Sequence, residues 1–327
     1  MFKRRWLILG IVTLSIPLGP ALALELGDPA PAITVDWLRG GPIDLKAGKG
    51  KSKNVYVLEF WATWCGPCRI SLPHLSELQH KYKDKGLVVI GVALGDEPVS
   101  VIKKYLADSG KKIDFPIAVD RNGATVRAYM MPFGAEGIPW SCVIDKDGRL
   151  AWVGSPFAGL DKIIEQCVAG TYNLKARLAL NKYFETAVQA DRATKSEDQK
   201  ELRDKVRKIG EELLKTAVKT PEVLDLLAWN IVTLPLLKTR DLDLARQACK
   251  IASEATKDSD PSLLDTYARV LWESGDKNGA MRMQKKAIEL VKDEQLAAIL
   301  KEHLKEFEED LKKNPPPASS PASQAAV

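Results

Sequence analysis

Two short runs of almost continuous apolar residues stand out in the first half of the chain, Val55–Trp61 (VYVLEFW) and Leu87–Leu94 (LVVIGVAL). Their length and β-branched content predict strands covered on both faces of a sheet. Between them a helix is predicted from about Cys65 to Lys83, and a second from about Val99 to Asp108. Strand, helix, strand and helix in that order indicate an α/β layer with a central sheet. Ser141–Val153 predicts a hairpin, because Asp147-Gly148 supplies a tight turn between SCVID and RLAWV. A last helix over about Gly159–Ala169 completes a segment running from Glu25 to about Gly170. From Thr171 onward leucine and alanine recur at three- and four-residue spacing with charges on the other faces, which predicts helices throughout and no strand.

The two ends follow other rules. Lys3, Arg4 and Arg5 precede an uncharged run from Trp6 to Leu24, and Ala21-Leu22-Ala23 forms a small-x-small site. That is the layout of a secretory signal peptide, which places the mature chain in an oxidation-permissive compartment, periplasmic or otherwise in the cell envelope. A retained membrane anchor is the competing reading, since the run approaches the roughly 20 residues that span a bilayer. Gly10, Pro17, Gly19 and Pro20 weaken such a helix. The Arg4-Arg5 pair also fits a twin-arginine export signal. From Asn314 the chain is rich in Pro, Ala and Ser without aromatic or charged residues, which predicts a disordered tail. The expected organisation is thus a signal peptide over 1–23, an α/β domain over 24–170, a helical domain over 171–313 and a tail over 314–327.

Composition narrows the function. With 45% hydrophobic and 28% charged residues in 327, wholesale disorder, a collagen-like repeat and a multi-pass membrane protein are excluded. The net charge is +5, but three of the positive charges lie in the first five residues. Residues 1–170 carry 21 basic and 17 acidic side chains and the remainder 27 and 26, so neither half has the basic excess that a nucleic-acid partner requires.

The helical half contains an internal similarity. Pro221, Leu224, Asp225 and Ala228 recur as Pro261, Leu264, Asp265 and Ala268, while Ala245 and Ala252 recur as Ala280 and Ala287. The offset falls from 40 to 35, which places an insertion of five residues in the turn around Pro235–Arg240. Small residues on both helices of a pair allow close packing, and the segment 221–292 resembles the tetratricopeptide repeat at Leu264, Tyr267, Ala268, Leu271, Ala280 and Ala287. Trp229 and Trp272 fall outside the expected aromatic position, and Ala268 replaces the glycine of the first helix, so a non-repeating bundle is the alternative. Stacked repeats need roughly three units, and helices over about 175–190, 196–217 and 293–312 would supply further layers.

The chemistry is concentrated in Phe60-Trp61-Ala62-Thr63-Trp64-Cys65-Gly66-Pro67-Cys68-Arg69, where a predicted strand meets a predicted helix. Free N–H groups and the positive end of the helix dipole favour an anion there, so Cys65 is expected to ionise readily. Cys68 would then attack a mixed disulfide on Cys65 and release the substrate reduced. A zinc site would need a second ligand pair, yet Cys142, Cys167 and Cys249 are isolated and His74, His80 and His303 have no matching spacing. Haem attachment would need histidine after the second cysteine, where Arg69 stands. A purely structural disulfide is the third alternative. No metal or organic cofactor is expected.

WCGPC after an FWAT strand resembles thioredoxin, and the resemblance extends over about residues 25–170. Pro73 matches that family's helix-kinking proline and Ile138-Pro139 its cis-proline, whose preceding backbone binds an extended substrate. Glu59 matches the buried strand acid that takes up and returns the proton of the second cysteine. The resemblance implies a thioredoxin-like α/β fold, with Cys65 as nucleophile, Cys68 as resolving thiol, Glu59 as proton relay, and Trp64, Gly66, Pro67, Ile138 and Pro139 contacting the substrate. The segment from Pro29 to Leu45 and the IPWSCVIDKDGRL run are most similar to exported, membrane-linked proteins of the TlpA and ResA type. Those are generally reductants of envelope disulfides or of cytochrome c precursors, which implies a protein disulfide as substrate and a membrane electron donor as partner. Trp140-Ser141 departs from the small hydroxyl residues usual after the proline. Cys142, next in the strand, is read as a small buried residue, with a third redox thiol as the alternative.

A peroxiredoxin is excluded, because no Pro-x-x-x-Thr-x-x-Cys pattern surrounds Cys65. One alternative of another class remains: an envelope scaffold whose tetratricopeptide-like helices bind a protein partner while the thioredoxin-like half only docks.

Overall fold

A computed structural model describes residues 24–45 and 53–314; the expected signal segment and all but the first residue of the expected tail lie outside them. The chain divides into two compact units, one ending at Asp161 and the other beginning at Lys162.

In the first unit the two apolar runs are strands β2 (Val55–Trp61) and β3 (Leu87–Leu94), paired in parallel. All seven residues of β2 are buried, which explains why its sequence does not alternate. The sheet has four further strands: β1 (Asp36–Arg39), β4 (Ile117–Asp120), β5 (Trp140–Ile144) and β6 (Leu150–Gly154). Their order is β1-β4-β3-β2-β5-β6, with β2, β3 and β4 parallel and β1, β5 and β6 antiparallel to their neighbours. The hairpin is therefore β5–β6, and Gly148 in its turn takes φ +73°, which suits glycine. Strands β1 and β4 carry no such hydrophobic signal: each has four residues, and β1 has exposed ends.

Helices α1 (Cys68–Tyr82), α2 (Val99–Ser109) and α3 (Ala124–Tyr129) complete this unit, and α4 (Leu160–Ala169) begins at its end. The first helix starts at Cys68 rather than Cys65, because Gly66-Pro67 forms a turn before it. Pro73 lies inside α1, which buries Leu72, Leu75 and Leu78. Side chains of β2 alternate between the two faces. Tyr56, Leu58 and Phe60 join Ile90, Val92, Tyr129, Cys142 and Ile144 in one apolar cluster, so Glu59 points to the opposite face, toward α1. Across the ladder from Glu59 stands Gly91 on β3, where a Cβ would come within 3.0 Å of the Trp61 indole nitrogen. That close approach leaves no room for a side chain beside Glu59.

The second unit is helical among the described residues: α5 (Leu174–Arg192), α6 (Ser196–Thr216), α7 (Pro221–Thr233), α8 (Leu242–Thr256), α9 (Pro261–Glu273), α10 (Lys277–Leu290) and α11 (Glu294–Lys313). Their starts are written in the sequence. Asn173, Asp241, Asp260, Asp276 and Asp293 accept backbone N–H bonds as N-caps, and Pro221 and Pro261 open α7 and α9. The recurring Ala228, Ala245, Ala252, Ala268, Ala280 and Ala287 are all buried, where α7 packs on α8 and α9 on α10. The α7–α8 connection is five residues longer than the α9–α10 connection, which matches the change in offset.

Candidate active site

Strand β2 delivers Trp61 into the core, and the chain then turns twice before α1. Cys65 and Cys68 are joined in a disulfide across this turn, with Cα atoms 5.3 Å apart. The two cysteines differ in access: Cys65 retains 3% exposure and Cys68 none. No side chain caps α1; instead the Cys68 N–H donates to Cys65 Sγ at 3.2 Å. The first free N–H of the helix thus points at the sulfur, the arrangement that favours a sulfur anion.

The approach to Cys65 is built from three loops. The Ile138-Pro139 peptide is cis, and the Ile138 carbonyl lies 3.6 Å from Cys65 Sγ. Trp64 is 58% exposed at the rim, beside the exposed Gly66 and Pro67, and its indole N–H donates to Asp96. A cleft of about 430 Å³ opens between Trp64 and Ile138, lined also by Leu94, Val126, Met130 and Gly137. Thr63 anchors the turn: its N–H and hydroxyl both donate to Glu97, and its carbonyl accepts the Arg69 guanidinium at 3.1 and 3.3 Å. Of the residues that hold Thr63 and Trp64, Arg69 adjoins Cys68 in sequence, whereas Asp96 and Glu97 lie more than 30 residues from their partners and had no sequence signal.

On the face of β2 that meets α1 lies Glu59, with no exposed surface. Ser71, one turn after Cys68, donates to Oε1 at 2.7 Å, and Ser141, directly opposite on β5, donates to Oε2. Burial pushes the Glu59 carboxyl up from 4.5 to about 7, against the opposing pull of the Ser141 and Ser71 hydroxyls. A group that titrates there is a proton acceptor and donor near neutral pH. The structure therefore brings Cys65, Cys68, Glu59, Trp64, Gly66, Pro67, Ile138 and Pro139 together.

The remaining cysteines are not part of the disulfide. Cys142 pairs with Leu58 and shares its face, opposite to that of Glu59, and its thiol donates to the Tyr129 carbonyl at 3.7 Å. Burial pushes the thiols of Cys142 and Cys249 far up; both are buried, as is Cys167, and none of the three is joined in a disulfide. A buried neutral thiol is a poor nucleophile, so Cys142 behaves as a small apolar strand residue.

A family profile described as Redoxin matches residues 25–160. The thiol-disulfide oxidoreductase ResA of Bacillus thuringiensis subsp. konkukian is 38% identical over 127 residues, which covers 39% of this chain and 68% of that protein. Protein FixW of Rhizobium leguminosarum is 29% identical over 195 residues, covering 52% of this chain and 84% of FixW. Among solved structures, a Chlorobium tepidum chain described as a thiol:disulfide interchange protein DsbE is 33% identical, covers 46% of this chain and 100% of its own, and has a TM-score of 0.38.

Proposed function

The chain belongs to the ResA-type thiol-disulfide oxidoreductases, and from that premise we propose that it is an exported enzyme that reduces disulfides of other proteins through Cys65 and Cys68. The observation that carries this reading is the linked pair at the β2–α1 junction, with the sulfur of the more exposed cysteine, Cys65, beside the Ile138 carbonyl. In the reduced enzyme the Cys65 thiolate attacks a substrate disulfide; that S–S bond breaks, a mixed disulfide forms, and one substrate sulfur leaves as thiolate. Glu59 accepts the proton of Cys68, whose thiolate then attacks the Cys65 sulfur. The Cys65–Cys68 bond forms, the mixed disulfide breaks, and the second substrate thiolate leaves. Two electrons have passed from the cysteine pair to the substrate, and a dithiol donor returns them by the reverse exchange.

Recognition is assigned to the rim. Ile138 and Pro139 hold an extended substrate backbone close to Cys65, while Trp64, Gly66 and Pro67 shape the approach. Export rests on the layout of residues 1–23, and a membrane-bound donor on the resemblance to TlpA and ResA. The deciding experiment is an equilibrium titration of the full mature chain against glutathione or dithiothreitol. A potential near or below about −250 mV supports a reductase, and one near −120 mV makes the protein an oxidant.

The helical domain, 171–313, is assigned to partner recruitment, on the paired helices and the recurring buried alanines of residues 221–292. In the full chain with both Cys65 and Cys68 replaced by serine, capture of an envelope protein should persist. Loss of capture with the cysteines would leave recruitment to the thioredoxin-like half alone.

A further inference from the structure

A carboxyl with no exposed surface needs a partner if it is to ionise at all. A neighbouring cation would serve, yet among the described residues no basic side chain is paired with Glu59, and its environment consists of burial and two hydroxyls. Those hydroxyls are themselves buried, Ser71 at 1% exposure and Ser141 at 0%. Each serves a different oxygen: Ser71 reaches Oε1 from α1, and Ser141 reaches Oε2 from β5. The other elements around Glu59 add little charge. Strand β3 presents Gly91, which has no side chain; α1 presents the neutral Ser71; and β5 adds the Cys142 thiol on its far face, which the Glu59 charge helps to hold neutral.

We propose that Ser71 and Ser141 are positioning residues for thiol exchange, each clamping one oxygen of Glu59 and together setting the pH range over which Cys68 can be activated. The proposal rests on Glu59 acting as the base for Cys68. Donated hydrogen bonds favour a carboxylate over its protonated form, so the clamp keeps Glu59 able to accept a proton despite its burial. Ser71 has a second acceptor, the Cys68 carbonyl at 3.3 Å. When Glu59 takes the proton, the Ser71 hydroxyl can turn to that carbonyl and free Oε1 for it. Ser141 follows Pro139 by two residues, so one strand start both faces the substrate backbone and holds the base.

The test is the pH dependence of insulin-disulfide reduction by the full chain, from pH 5.5 to 9.5, for Ser71→Ala, Ser141→Ala, Ser141→Thr and Glu59→Gln. A hydrogen bond to a charged group corresponds to about one to two pH units. Each alanine variant should therefore move the acidic limb of the profile upward by about one unit, lowering the rate near pH 6 about tenfold while leaving it unchanged above pH 9. Ser141→Thr, which keeps the hydroxyl, should restore the wild-type profile. Alanine profiles that superimpose on wild type while Glu59→Gln slows the enzyme would overturn the proposal and leave the base intact. So would an equal loss at every pH, the sign of a packing role only. A Glu59→Gln profile identical to wild type would remove the base and the proposal with it. If Ser141→Ala does not fold, Ser71→Ala and Ser141→Thr decide the matter.

Discussion

Cys68→Ser should halt the enzyme halfway, with substrate covalently held on Cys65, whereas Cys65→Ser should lower turnover on the order of 10³-fold or more with no adduct at all. The asymmetry follows from access. Cys65 is the one residue of the pair with any exposed surface, and its sulfur lies 3.6 Å from the carbonyl of Ile138, which lines the cleft together with Trp64. Cys68 is enclosed by the first turn of α1, so an incoming disulfide cannot reach it, and its sulfur meets only a bond already formed on Cys65. Serine at 68 removes the second attack and spares the first. Mass spectrometry of non-reduced protein after exposure to a disulfide substrate reads the outcome directly. Adducts on the Cys65→Ser variant, or comparable turnover by either variant, would reverse the assignment of nucleophile and resolving thiol.

Much of this site was legible in the sequence, and the reason is local. Strand β2 is buried on both faces and so reads as an unbroken apolar run, and the cysteines follow it within a few residues. Glu59 is visible as the single acid inside that run. The helix boundaries in the second unit are visible because Asp, Asn and Pro mark the first turns. What could not be read arises from contacts distant in sequence. Ser141 meets Glu59 from 82 residues away, and a serine in a strand gives the same sequence signal whether it faces water or a carboxylate. Glu97 reaches Thr63 across 34 residues, through the parallel pairing of β2 with β3. Strands β1 and β4 owe their existence to the sheet they join, as four residues carry too little periodicity to announce a strand.

Glu59→Gln should make the oxidised protein more stable at pH 8 while making the enzyme slower. Burial raises the Glu59 carboxyl from 4.5 to about 7 in the folded chain, and the unfolded chain keeps the ordinary value. Between those two values the folded state holds a proton that the unfolded state has lost, so stability falls as pH rises through the window. Below about pH 4.5 both states are protonated and the group contributes nothing; above about pH 7 the full cost is present. A shift of that size corresponds to about 3 kcal/mol. Glutamine keeps the shape without the charge, so the variant should gain up to about this amount at pH 8 relative to its effect at pH 4.5. Urea denaturation of the oxidised wild type and variant at the two pH values measures the difference. Parallel stability profiles would mean that Glu59 titrates like an ordinary surface acid and that its burial is not felt. A buried acid that costs stability at working pH is what a group kept for chemistry should show, and the proposed base for Cys68 meets that expectation.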